Sequence, residues 1–269
     1  MEPVSLPKPA RIFPCQAHER TGVSAKTRAL PAETPLALVY DGSTEAVMMG
    51  TPADLEDFAV GFSITEGLIA HPSEIAELSV VHGEHGIELR MWLDRHRATA
   101  YRNRRRLTGP TGCGLCGIES LAETQRPLPH ILAETSFSHA CIAEALEDVT
   151  ARQRLHRETR AVHAAGFYRP ADGVAAVRED VGRHNALDKL AGALARGATP
   201  VTSGAIVITS RVSVEMVQKA AMIGAPLLIA VSAPTVLAVR TAEAAGLTLA
   251  ALARGDAFQV FSHGYRIAG

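Results

Sequence analysis

The sequence predicts an α/β protein: a layered sheet with helices on both faces, plus a smaller N-terminal α+β part. Three observations carry this. Short apolar runs at Val174–Val177, Ala205–Thr209, Leu227–Val231 and Leu247–Leu252 have the length of buried strands. Helical stretches near Asn185–Ala195, Ser213–Ile223 and Pro234–Ala245 alternate with them, as expected of parallel strands crossed by helices. Upstream, hairpin signals surround one amphipathic helix. The chain divides accordingly into a flexible N-terminal arm over 1–30, an α+β part over 31–135 that ends in a double-cysteine loop, and an α/β part over 136–269.

The arm carries Pro3, Pro7, Pro9 and Pro14 with scattered charge, and lacks the apolar block of a signal peptide. Leu36–Tyr40 and Glu45–Met49 read as strands around the turn Asp41-Gly42-Ser43. Thr51 is a candidate cap and Pro52 suits a first helical position. Leu55, Phe58, Ala59, Phe62 and Ile64 then form an apolar stripe that ends near Gly67. Leu78–His82 and Ile87–Leu93 make a second hairpin turning at Gly83–Gly86. From Ser138 to about Ala164 the pattern is helical, with Glu144, Glu147, Asp148, Arg152 and Arg157 on a solvated face.

The 269 residues are enough for a core that needs no metal or disulfide staple. Acidic residues (28) nearly balance basic ones (27), so the net charge calls for neither nucleic acid nor an anionic membrane. Apolar runs such as Ala225–Val231 are far shorter than the roughly 20 residues that cross a bilayer. Cys15, Cys113, Cys116 and Cys141 are too few and too unevenly spaced for a disulfide framework. A soluble cytoplasmic protein with reduced thiols is expected.

The run Thr111-Gly112-Cys113-Gly114-Leu115-Cys116-Gly117 sets two thiols on a backbone that bends almost freely. Arg95, Arg97, Arg102, Arg104, Arg105 and Arg106 crowd its approach, and positive charge favours the reactive thiolate. Half a zinc site, a redox pair and a sulfur carrier all fit a Cys-x-x-Cys. His82-Gly83-Glu84 followed by Cys113 and Cys116 imitates the signature of zinc-dependent base deaminases. However, Gly112 stands where that signature has proline, and His82 sits beside a glycine turn between strands. Gly114 and Gly117 make a poor helix start for a thioredoxin-like pair.

Ligands of parallel sheets gather beyond the strands' carboxyl ends. Here those ends carry Glu179-Asp180, Thr209-Ser210-Arg211 and Ser232. In Glu179–Lys189, a helix start with Arg183 can hold a phosphate, and Asp180 or Asp188 can accept from a guanine edge. The alternative is a capped helix with an Asp188–Arg183 or Glu179–Lys189 ion pair. Ser213 is a credible cap and Arg211 a second anion candidate, while Lys219 reads as a solvated side chain. The loop Leu252–Ala257 adds Arg254, and His263 downstream reads as structural.

With these residues in view, the chain resembles the formate dehydrogenase accessory sulfurtransferases, the FdhD/NarQ family. Thr111–Gly117, Glu179–Lys189, Thr209–Ala220, Val231–Thr235 and Phe258–Ile267 carry the likeness, which reaches across most of the chain beyond Asp57. The resemblance implies a cytidine deaminase-like architecture without zinc chemistry or any stably bound metal, and a homodimer. It implies a carrier that takes sulfur from a cysteine desulfurase as a persulfide and delivers it to the molybdenum cofactor. That cofactor, in its bis-molybdopterin guanine dinucleotide form, is then inserted into the formate dehydrogenase catalytic subunit. Cys113 matches the persulfide-bearing cysteine and Cys116 the second thiol of the loop. Leu252, Ala253, Arg254, Gly255, Asp256 and Ala257 fall where the family grips the dinucleotide, a match of position more than of side chains. A cofactor-binding chaperone with incidental cysteines would tolerate Cys113→Ala, and a zinc-bound hydrolase would fail with a chelator.

Overall fold

The computed structural model describes residues 6–99 and 127–268. Cys113, Cys116 and the arginines at 102 and 104–106 lie outside them. Ala10–Glu19 (β1) and Gly22–Pro31 (β2) pair antiparallel along their full length. The segment expected to be a flexible arm is therefore a self-paired hairpin. Prolines do not prevent this, because Pro14 lies in a two-stranded ladder where both strands are edges and a missing N–H can face outward.

Thr34–Tyr40 (β3), Ser43–Gly50 (β4), Ile75–Gly83 (β5) and Gly86–Leu93 (β6) build a sheet in the order β4-β3-β6-β5. Asp41 and Gly42 both have positive φ, 48° and 79°, as a two-residue hairpin turn demands. Leu55–Thr65 forms α1, and its Leu55, Phe58, Ala59 and Phe62 pack onto Leu36, Leu38, Leu89 and Met91 of this sheet. The helix starts three residues later than Thr51-Pro52 suggests. Thr51 is fully buried and spends its polar groups elsewhere: its N–H donates to Asp180 Oδ2 at 2.9 Å, and its hydroxyl accepts from Val181 N–H at 3.1 Å.

The stretch expected to be helical over Ser138–Ala164 divides into His139–Ala151 (α2) and Arg154–Thr159 (α3), and then extends as His163–Arg169 (β8). The sequence His-Ala-Ala-Gly-Phe-Tyr-Arg has little strand signature of its own, and its place between two strands decides it. Phe137–Ser138 (β7) precedes α2, and Ser138 caps it by accepting from Cys141 N–H.

Gly173–Asp180 (β9), Ala205–Ile208 (β10), Leu227–Ala230 (β11), Thr248–Arg254 (β12) and Ala257–Ser262 (β13) complete a six-stranded sheet, β13-β12-β11-β10-β8-β9. β10, β11 and β12 are parallel, and β9 shares their direction because β8 runs antiparallel to both β9 and β10. Arg183–Arg196 (α4), Val214–Ile223 (α5) and Val236–Ala245 (α6) cover one face with Leu187, Leu190, Met216, Val217, Ala238 and Ala242. α2 covers the other face with Ile142, Ala145 and Val149 against Val207 and Ile229. The mixed α/β class with helices on both faces is the expected one. Ile267–Ala268 (β14) returns to pair with β7.

α1 and α4 join the two sheets at backbone contact. A Cβ built on Gly61 would lie 1.7 Å from Asp188 O, and one on Gly192 1.9 Å from Asp57 O. Charges flank this contact. Asp57 pairs with Arg178 and Arg196 at 2.6 Å each. Lys189 Nζ donates to Asp180 Oδ2 at 2.6 Å and to Thr51 O at 2.9 Å, with both charged side chains fully buried.

Two outcomes follow from this packing. Lys189→Ala strands a buried carboxylate and is expected to cost about 3–5 kcal/mol in urea unfolding, whereas a loss under about 1 kcal/mol would show that the pair is not structural. Gly192→Ala drives a methyl group into the α1 backbone and is expected to lower the melting temperature or the soluble yield sharply; wild-type behaviour would mean that the helices can separate.

Candidate functional site

The parallel strands bring the nominated loops to one edge. Beyond β9 lie Asp180–His184, beyond β10 Thr209–Ser213, beyond β11 Val231–Thr235, and beyond β12 the turn at Gly255-Asp256. This is the ligand edge of an α/β sheet. The β10 and β11 loops are zipped together: Val212 N–H donates to Ala233 O at 3.2 Å and Thr235 N–H to Val212 O at 2.9 Å. Arg183 opens α4, Arg211 is exposed on the zipped loop, and Arg254 is exposed at the end of β12. Four strand spacings separate β9 from β12, an edge about 19 Å long.

The acids of Glu179–Lys189 take different roles from those the sequence suggests. Asp180 is saturated: besides Lys189 and Thr51 it accepts from Gly182 N–H at 2.7 Å and Asn185 Nδ2 at 3.0 Å. Glu179 pairs with no lysine and instead accepts the first N–H groups of α3, from Leu155 at 2.8 Å and His156 at 2.7 Å. Asp188 binds Lys219, not Arg183, at 2.9 and 3.1 Å, and accepts from Thr65 Oγ1 at 2.5 Å. Neither Asp180 nor Asp188 is available to a guanine edge.

Lys219 is likewise buried rather than solvated, and it also donates to Glu66 at 2.7 Å and Thr65 at 3.1 Å. Burial alone would push its ammonium pKa down, but the Asp188 and Glu66 carboxylates outweigh that and hold it up. Sequence reasoning missed Lys189 and Lys219 as interior groups. The available signal was position: Lys189 stands beside Leu187, Leu190 and Ala191, and Lys219 between Val217 and Ala220, each inside an apolar face.

Above this network, one helical turn nearer the edge, lie His184 and Glu215. Burial, with the charges of Arg183 and Lys219, pushes the His184 imidazole down to about 4, so it is neutral at physiological pH. Glu215 goes the other way. Burial would raise its carboxyl, but the Ser213 hydroxyl, the backbone N–H at the helix start and Arg183 together hold it below the usual range. Ser213 occupies the N-cap position as expected, yet its hydroxyl makes no cap hydrogen bond; Thr235 does cap α6, accepting from Ala238 N–H at 3.2 Å.

Leu252–Ala257 forms the end of β12, a turn and the start of β13. Leu252 has φ 55° at a break in the ladder between Ala251 and Arg254, and its N–H reaches Ser232 O at 3.4 Å. Its side chain is turned outward, while Ala253 is buried and Arg254 to Ala257 are exposed. The segment thus shares an edge with Arg211 and Ser232. His263 is structural, its Nε2 at 2.9 Å from Glu243 O. His82 ends within β5, a strand rather than a helix.

The depressed His184 pKa has a signed consequence. Between its ordinary value of 6.5 and about 4, the unfolded chain binds the proton and the folded one does not, so stability falls as pH drops through that window and is untouched above it. His163, lowered by burial and Arg183, bends the curve the same way. His184→Gln is therefore expected to flatten, without abolishing, the slope of unfolding free energy between pH 6.5 and 4; an unchanged slope would place the titration elsewhere.

Known proteins share this chain's sequence and fold. A family model described as the FdhD/NarQ family matches residues 31–268. The sulfur carrier protein FdhD of Agrobacterium fabrum is 53% identical over 242 residues, covering 89% of each chain. That of Cupriavidus necator is 49% identical over 236 residues, covering 87% of this chain and 82% of its own. A crystal structure of a putative formate dehydrogenase accessory protein from Desulfotalea psychrophila superposes with a TM-score of 0.77 at 24% identity, over 96% of this chain and 99% of that one. With a match across the whole body of the fold and half of the residues shared with these relatives, the chain belongs to the FdhD/NarQ family.

Proposed function

We propose that this protein is a sulfur carrier serving formate dehydrogenase, and that Cys113 carries the sulfur. The observation that bears most weight is the identity of about half the residues with proteins named sulfur carriers, over nearly nine-tenths of the chain. In this reading the Cys113 thiolate attacks the terminal sulfur of a cysteine desulfurase's persulfide. A new S–S bond forms, the desulfurase cysteine leaves as thiolate, and Cys113 holds the sulfane sulfur. Delivery reverses the logic: the sulfur passes to the metal of the substrate, Cys113 departs as thiolate with the bonding pair, and the reduced metal supplies the two electrons that make sulfide. Cys116 assists release by thiol exchange.

The described cysteines support this assignment by their environments. Cys141 is buried in α2, and burial with the Glu144 charge pushes its thiol up, the opposite of what a carrier needs. Cys15 is exposed on β1, far from the strand-end edge in sequence and on a hairpin outside the six-stranded sheet.

The substrate is a bis-molybdopterin guanine dinucleotide cofactor, gripped at the strand-end edge by Leu252–Ala257, Arg183 and Arg211. A run of cations about 19 Å long suits an extended ligand with several phosphates. The arginines from Arg95 to Arg106 dock the desulfurase, although Arg97 already pairs with Glu74 at 2.8 Å. The chain works as a cytoplasmic homodimer with cytidine deaminase-like layering of the six-stranded sheet and its helices. Among the described residues no helix is long and apolar enough to cross a membrane.

Intact-mass spectrometry after incubation with a cysteine desulfurase and cysteine tests the reading. Wild type, Cys15→Ala and Cys116→Ala are expected to gain one reducible sulfur, about 32 Da, and Cys113→Ala none. A gain that survives in Cys113→Ala would move the carrier to another thiol. No gain in any variant would favour a cofactor-binding chaperone.

A further inference from the structure

The register of β1 against β2 sorts their side chains onto two unlike faces. One face holds Arg11, Phe13, Glu19, Lys26 and Arg28. The other holds Ile12, Pro14, Gln16, Val23, Thr27 and Ala29, and carries no Asp, Glu, Lys or Arg. That uncharged face is open: Ile12 is 73% exposed and Val23 60%. Within the chain β2 touches α3, and neither strand of the ribbon packs on the four-stranded sheet. A two-stranded hairpin alone is marginal in water, so a ribbon of this length with one uncharged face implies a surface on which it rests.

The four-stranded sheet has a bare side of its own. α1 covers one side, and the register places Ala37, Val39, Val47, Met49 and Trp92 on the other. Val47 is 55% exposed, Met49 48% and Trp92 47%. Trp92 is the only tryptophan of the chain, and exposed tryptophan on an apolar surface is typical of the centre of an interface. Charges on this side include Glu77, opposite Trp92, and Arg90, which Glu88 already neutralises at 2.7 Å.

Charge and area both select a second copy of this chain as the partner. The ribbon carries Arg11, Arg20, Lys26 and Arg28 against Glu19, a net +3 in a chain whose total is −1, so the rest of the molecule carries −4 and attracts the ribbon of a neighbour. Ten residues in each of two strands make a face of about 33 by 10 Å, so one ribbon laid on one sheet covers roughly 650 Å² counting both surfaces, short of the about 1,000 Å² of a specific interface, whereas a reciprocal exchange covers roughly 1,300 Å².

We infer that two copies of this chain exchange their N-terminal ribbons, each laying its uncharged face, with Ile12 and Val23, on the bare side of the other's four-stranded sheet over Val47, Met49 and Trp92. This rests on the proposed homodimer and names the surfaces that build it. The exchange closes on itself after two copies, since each ribbon and each sheet is then used once.

Trp92 is the reporter. Light scattering and tryptophan emission are followed together on the full-length protein through a dilution series. Wild type is expected to be a dimer with blue-shifted emission, and the emission is expected to move to the red in step with the fall in mass. Ile12→Glu with Val23→Glu on the ribbon, and separately Val47→Glu on the sheet, are each expected to raise the dissociation constant at least about tenfold and to give red emission where wild type is still blue. Lys26→Gln, on the charged face of the ribbon, is expected to change neither. All of these side chains are exposed, and unchanged melting temperatures of the dilute variants confirm that the body is folded. A dimer whose emission ignores dilution, or whose mass ignores both the ribbon and the sheet variants, overturns the exchange and leaves the homodimer standing. A wild type that is monomeric at every concentration sinks both, and blue emission in that monomer would mean that the ribbon folds back on its own sheet.

Discussion

The ion pair of Asp180 and Lys189 is the constraint on which the rest of the molecule depends. Both side chains are wholly buried, and their hydrogen bonds come from three directions: the loop before α1, the end of β9 and the first turns of α4. Such a pair is poor at adding stability relative to an apolar alternative, but it is demanding about geometry. Asp180 fixes where β9 stops and α4 begins. Thr51, bound to the same carboxylate, fixes the N-terminal sheet against that junction. The position of Arg183 and His184 at the strand-end edge is thus set by a residue wholly buried beneath them.

A net charge of −1 conceals a strong local polarity. The arginines at the strand-end edge lie above a buried layer in which Asp57, Asp180 and Asp188 are each already neutralised by Arg178, Arg196, Lys189 or Lys219. Because the interior charges cancel at short range, the charges left at the edge are those of Arg183, Arg211 and Arg254, set against Glu215 and the exposed Asp256. Glu215 is then an acid set beside the Ser213 hydroxyl, a helix start and Arg183, which explains why its carboxyl is held below the usual range despite burial.

Much of this was legible in the sequence where pattern and period agree. The alternation after Val174 gave the parallel strands and their helices, Asp41-Gly42 gave a hairpin turn, and the strand ends gave the edge with Arg183, Arg211 and Arg254. What was not legible depends on contacts remote in sequence. Thr51 reads as a helix cap and acts as a tether to Asp180. Lys219 reads as solvated and is the centre of a buried network, since nothing local announces that Glu66 and Asp188 will close over it. β8 lacks strand character and takes it from β9 and β10. Cys113 and Cys116, the most telling residues of the chain, owe their meaning to chemistry and kinship and not to any position described in the fold.

The backbone contact of α1 with α4 also has a consequence for synthesis. Thr51 and Asp180 are 129 residues apart, and the glycine of α1 that closes the helix contact meets the backbone of Asp188 and Gly192 in α4. At a translation rate of about 5–20 residues per second, the N-terminal sheet waits roughly 6–26 s on the ribosome with that glycine and the Asp57 carboxylate uncovered. The nascent chain is therefore at its most aggregation-prone before α4 emerges, and slow elongation or a stall between the two helices endangers the protein more than a comparable delay near either terminus.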